Sequence, residues 1–335
     1  MFLRRFLSLT LLCLPCFLPA AEILDFVPPA AQHVFRIDLT GNIGGLEEVR
    51  DDLLTTASRQ SGFDEKDGKS LNISKLLNEI VIVTPNLTED FTFVLVKTKM
   101  TEKDFCAELA KMTGTQPVSV KDTRPQEYRI ELANFGIGSL VAPKKRVFAF
   151  AFLTENIAVW TKDSLAPFRA FKNRGLNAAD RKGLTVPKII AAGFVKMDPN
   201  FLLDNPLVPP FDRADGIIAP GPAGSLRVDL RFAAAEKSAA KQLQKYLQQM
   251  VMVGAMLLNQ TDEDLMMEWM SSIKVKREEN IVTVNALFTQ FFISRLAGMA
   301  GRQIGETAPP PPAPAAAPAP APQPSAAPVK AEKKP

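Results

Sequence analysis

Residues 22–306 carry an internal likeness that restricts the folds open to them more than any single motif does. Three pairs of segments resemble each other and fall in the same order along the chain. VPPAAQHVFRIDL (27–39) matches VPKIIAAGFVKMD (186–198), each an extended apolar stretch that follows Val-Pro and reaches an aspartate. FTFVLVKTKMTEKDFCAELAKM (91–112) matches SLRVDLRFAAAEKSAAKQLQKYL (225–247), where strand alternation gives way to helical spacing. ENIAVWTKDSLAPFRAF (155–171) matches ENIVTVNALFTQFFISRLAG (279–298), a strand running into a helix. Such ordered matches predict a diverged internal duplication, with a first α+β repeat over 22–180 and a second over 181–306. Each half reads as strand, helical excursion, strand, helix, hairpin and closing helix. The expected fold is therefore α+β, two similar lobes with mainly antiparallel sheets and packed helices.

Within that frame, Thr101 followed by Asp104 predicts a helix start, with Phe105, Leu109 and Met112 on one face. Glu278-Glu279-Asn280, flanked by alternation on both sides, predicts a hairpin. Lys144-Lys145-Arg146 reads as a solvated turn, and Asp262, Glu263 and Asp264 as negative charge on the first turn of a helix.

The two ends differ from this body. Residues 1–21 open with Arg4 and Arg5, continue through an apolar core from 6 to 18 and close on Ala20 and Ala21. That core is shorter than the ~20 residues that span a bilayer, so the segment reads as a cleaved signal peptide. Neither Cys13 nor Cys16 is preceded by the small residues of a lipidation site. Residues 307–335 hold 11 of the 27 prolines and form a disordered Pro/Ala-rich tail, about 90 Å long at ~3.1 Å per residue if fully extended. It reads as a tether or a solubilising tail, with Lys330, Lys333 and Lys334 able to meet acidic envelope components. The formal net charge of +4 resides wholly in these two ends, which leaves the body neutral and gives no reason to expect nucleic acid. Export places the protein in the periplasm or cell envelope. There the mature chain keeps Cys106 alone, expected to be a buried inert thiol, and no intrachain disulfide is possible.

Scarcity limits the chemistry. His33 is the single histidine, so mechanisms with two imidazoles are excluded and zinc bound by His and Cys lacks ligands. GFDEKDGKS (62–70) has one residue too many for a phosphate-binding loop and lacks carboxylates at the ends of a calcium loop. Two Ser-x-x-Lys matches, at Ser238 and Ser271, lack the companion motifs of penicillin-recognising enzymes. No catalytic residue, metal ligand or cofactor is assigned.

The most distinctive stretch is MVMVGAMLLNQTDEDLMMEWM (250–270), with six of the chain's 11 methionines. Residues 250–258 are apolar on every side of a helix and must pack between the repeats or meet a partner, while soft copper ligation by methionine pairs is a remote alternative. Met250, Met252, Met256, Met266, Met267, Trp269 and Met270 are the candidate apolar surface. Leu207 and Phe211, in the proline-rich loop expected over 201–224, are candidates to cover a groove beside it.

The layout resembles a group of uncharacterised exported bacterial proteins in which a signal peptide precedes two copies of an α+β unit. The resemblance rests on VPPAAQHVFRIDL at the opening and on ENIAVW and ENIVTV at the closing strands. It implies export and non-enzymatic character and transfers no functional residue. The expected function is an exported, non-catalytic binding or interaction protein, its partner an envelope protein, a polymer or an apolar ligand. A carrier of a lipid-like ligand is the main alternative, and a carboxylate-dependent hydrolase a further one.

Overall fold

The computed structural model describes residues 22–40, 76–86, 91–133, 145–171, 174–186, 188–197 and 208–296. The signal segment, the 62–70 loop, Leu207 and the tail lie outside them.

The alternating segments form strands. The first half holds β1 (His33–Asp38), β2 (Leu77–Asn86), β3 (Phe91–Thr98), β4 (Val118–Val120), β5 (Glu127–Ala133), β6 (Lys145–Phe152) and β7 (Ile157–Lys162). The second half holds β8 (Ala191–Lys196), β9 (Arg213–Pro220), β10 (Leu226–Ala233), β11 (Ile273–Glu278) and β12 (Ile281–Phe288). The α-helices are α1 (Glu102–Thr113), α2 (Ala166–Ala170), α3 (Ala178–Leu184), α4 (Lys237–Asn259) and α5 (Glu263–Ser272). A further helix occupies residues 290–296.

All twelve strands join one antiparallel sheet, in the order β11-β12-β10-β9-β8-β1-β2-β3-β7-β6-β5-β4. The halves meet edge to edge, with β1 paired to β8 from His33↔Val195 to Ile37↔Ala191. They are thus sides of a continuous sheet rather than separate lobes. Outward from that seam the orders correspond: β1-β2-β3-β7-β6 on one side, β8-β9-β10-β12-β11 on the other. The matched sequence segments fall on corresponding elements, β1 with β8, β3-α1 with β10-α4, and β7 with β12.

Local chemistry accounts for the boundaries. Thr101 caps α1 by accepting from the Asp104 N–H, and Gly114 ends it in the left-handed conformation at φ 66°. The hairpin at Glu279-Asn280 forms as expected, with Glu278 opposite Ile281. Lys145 and Arg146, in contrast, begin β6 rather than forming a turn, because they pair with Ala133 and Leu132 of β5. Within the loop expected over 201–224, β9 takes up residues 213–220, a strand between β8 and β10. Its prolines are placed where no ladder donor is lost: Pro209 and Pro210 precede the strand, and Pro220 ends it.

Three clusters form the core. The largest packs Val34, Val81, Val83, Phe93, Leu95 and Phe194 under the 3-10 turn Ile23–Phe26, α2 and α3, on one sheet face. On the opposite face, α1 packs Phe105 and Leu109 on Phe150, Phe152 and Ala158. Also on that face, α4 packs Ala239, Ala240 and Leu243 on Val282 and Phe211. Each fully buried Phe or Leu contributes about 1.5–3 kcal/mol.

Candidate apolar binding surfaces

The methionine segment becomes two antiparallel helices, α4 and α5, joined by a turn at residues 260–262. Asp262 caps α5 by accepting from the Leu265 N–H, and Glu263 and Asp264 occupy its first turn as expected. Trp269 holds the pair together. Its indole N–H donates to the Val251 carbonyl at 2.8 Å, and its ring lies so close to Gly254 that an added Cβ would stand 2.8 Å from Cζ2. The ring also stacks on Phe288 at 5.8 Å, and Phe288 stacks on Phe292 at 4.7 Å. The Glu268 carboxylate accepts from the Thr289 N–H at 2.7 Å and hydroxyl at 2.9 Å, tying α5 to the start of the 290–296 helix. Asp262 is also ion-paired to Arg295.

This small core buries Ala255, Leu265 and Phe292, half-buries Val251, Leu258, Met266 and Trp269, and leaves other apolar side chains facing outward. Met250, Met252, Val253 and Met270 are exposed, with Met256 at 65%, Leu257 at 61% and Met267 at 60%. The structure thus brings seven of the nine sequence candidates onto one helical pair. Met266 and Trp269 are half-buried within it, and Trp269 is its inner support rather than its surface. Phe211 does not belong to the surface. It is 8% exposed and packs edge-on against Phe232 under the first half of α4, because the chain enters β9 there instead of looping outward. Val253, Leu257 and Phe291 join the surface and were not singled out from sequence, although Val253 and Leu257 sit on the same helical spacing as Met250.

A second apolar feature lies where the halves meet. On the face that carries α1 and α4, β1, β8, β9 and β10 form an apolar trough of about 190 Å³. Its floor is a pair of directly opposed glycines, Gly193 and Gly216. Phe35 lies over Gly193, where a Cβ would meet Cδ1 at 2.6 Å, and Leu230 lies over Gly216 at 3.0 Å. The signal for this site is an isolated glycine inside a strand pattern, which marks close approach of neighbouring groups.

Several ionisable groups are buried or paired. His33 has a buried Nε2 without a hydrogen-bond partner among the described residues, and burial lowers its pKa. Glu79 pairs with Arg36, Glu127 with Arg129 and Arg169, and Asp180 with Lys196 and Arg213. Among the described residues, no group of three or more His, Cys, Asp or Glu is placed to hold a metal ion, and no helix is long and apolar enough to cross a membrane.

No protein-family model and no curated protein sequence matches the chain. Among solved structures, crystal form I of TP0453 superposes with a TM-score of 0.44 and 10% identity, covering 85% of this chain and 98% of that chain.

Proposed function

We propose that this chain is an exported, non-catalytic binding or interaction protein of the cell envelope, and that the outer side of α4 and α5 is its working surface. The observation that carries the reading is the exposure of Met252, Val253, Met256, Leu257 and Met267 on one helical pair. Monomeric soluble proteins rarely leave that much contiguous apolar surface without a use. Methionine suits such a surface, being flexible and polarisable. Export rests on the character of residues 1–21, and the 307–335 tail serves as a spacer within the envelope. The corresponding strand orders on either side of β1 and β8 support reading the body as a diverged duplication.

The test compares full-length protein isolated from its own cells with the Leu257→Glu variant. Envelope material recovered with the wild type and lost from the variant supports the reading. Identical recovery from both, with the variant folded, overturns it.

The central trough favours a second reading, carriage of an apolar ligand. Its lining includes Phe35, Ile218, Val228 and Leu230 around two glycines, a surface suited to hydrocarbon. Native mass spectrometry of protein from its own cells tests it. Repeated recovery of ligand-free protein excludes it.

A further inference from the structure

We propose that the outer face of α4 is where two copies of this chain join, across a twofold axis that sets the helices antiparallel. The proposal rests on reading this face as a contact surface, and it names the partner.

The order of residue types along the helix carries it. Lys237, Lys241 and Lys245 stand at four-residue spacing on the first half of α4 and are exposed. Residues 246–261 carry no charge, and Glu263 and Asp264 lie exposed at the far end of the helical pair. At 3.6 residues per turn, Lys241, Lys245, Met252 and Met256 fall within an arc of about 60°. Along the helical pair the order therefore runs basic, then apolar, then acidic. Lys241, Lys245, Glu263 and Asp264 form no ion pair among the described residues, whereas the neighbouring Asp262 is occupied by Arg295.

That order is complementary to itself when reversed. Lys245 and Glu263 lie equally far in sequence from Gly254, near the middle of the uncharged stretch. A twofold axis there packs Met252 and Met256 on their counterparts and faces each Lys245 with the acidic end of the other copy. Such isologous contacts are the commonest basis of soluble homodimers. A parallel arrangement would oppose like charges. An anionic bilayer would be repelled by Glu263 and Asp264 beside the apolar stretch.

The experiment is the solution mass of the mature full-length chain by light scattering and sedimentation equilibrium through the micromolar range. The expected mass is twice that of the chain, and Met256→Glu is expected to halve it while circular dichroism stays unchanged. Lys245→Glu and Glu263→Lys each remove two symmetry-related pairs and are expected to weaken the dimer roughly four- to twenty-fivefold, the range of two exposed ion pairs. Combined in one chain, they restore it. A wild-type monomer overturns the proposal, as does a double variant no better than the single ones. A monomer that still loses envelope material on Leu257→Glu overturns only the self-association. A monomer whose recovered material is unchanged overturns the contact surface as well.

Discussion

Cys106 sits half-buried on α1, and burial, followed by the neighbouring Glu102 carboxylate, pushes its thiol up to about 11. Glu102 is itself held by the Tyr128 hydroxyl, which donates to it and whose own pKa rises to about 12. A thiolate is the reactive form, so at pH 8 this cysteine is expected to alkylate roughly a hundredfold more slowly than an ordinary peptide cysteine of pKa ~8.5. Iodoacetamide labelling of native and urea-unfolded protein, followed by mass spectrometry, measures this. Equal rates would refute it. The sequence predicts a buried thiol from its place beside the Phe105 and Leu109 stripe, and the structure leaves it half-buried. The part played by Tyr128 was not legible, because it comes from β5, 26 residues from Glu102.

The α4–α5 pair shows how far helical periodicity reaches. An apolar run on every side of a helix predicts that the helix exists and that part of it is covered, but it does not select the covered side. That choice falls to Gly254, where the Trp269 ring closes in. Gly254→Ala sets a favourable helix propensity of ~1 kcal/mol against a rigid ring at 2.8 Å. Overpacking of this kind costs about 1–3 kcal/mol, so the variant is expected to lose about 1 kcal/mol and to shift Trp269 fluorescence. Urea unfolding checks it, and a variant stabilised by ~1 kcal/mol would show that propensity alone decides. β9 gives the complementary lesson. Its prolines and glycine read as a loop, but Gly216 is directly paired to Gly193 and Pro220 closes the strand, so neither disturbs the ladder.

At the scale of the molecule, Asp180 joins what the sequence divides. Its N–H donates to the side chain of Asn177, which caps α3, and its carboxylate receives hydrogen bonds from Lys196 of β8 at 2.6 Å and Arg213 of β9 at 2.5 Å. Burial pushes its carboxyl up, but the hydrogen bonds from Lys196, Arg213 and Asn177 outweigh it and hold the pKa below the ordinary value. A carboxyl depressed in the folded state contributes fully above the unfolded pKa of ~3.9 and loses that contribution as pH falls through the folded value. Asp180→Asn is therefore expected to cost about 3 kcal/mol at pH 7, the low end for breaking a buried pair, because Lys196 and Arg213 remain partly solvated. The difference from wild type should shrink steadily below about pH 4 in urea unfolding, and a gap independent of pH would refute the assignment. The sequence by itself determined the α+β class, the antiparallel habit, the cap at Thr101, the acidic first turn of α5 and the segment that carries the apolar surface, since each depends on residues close together in the chain. Only the tertiary structure decided that the halves share one sheet through β1 and β8, that Phe211 is core, and that the methionines face outward over Trp269. Those outcomes depend on which distant surfaces meet, and periodicity along one chain segment carries no term for its partner.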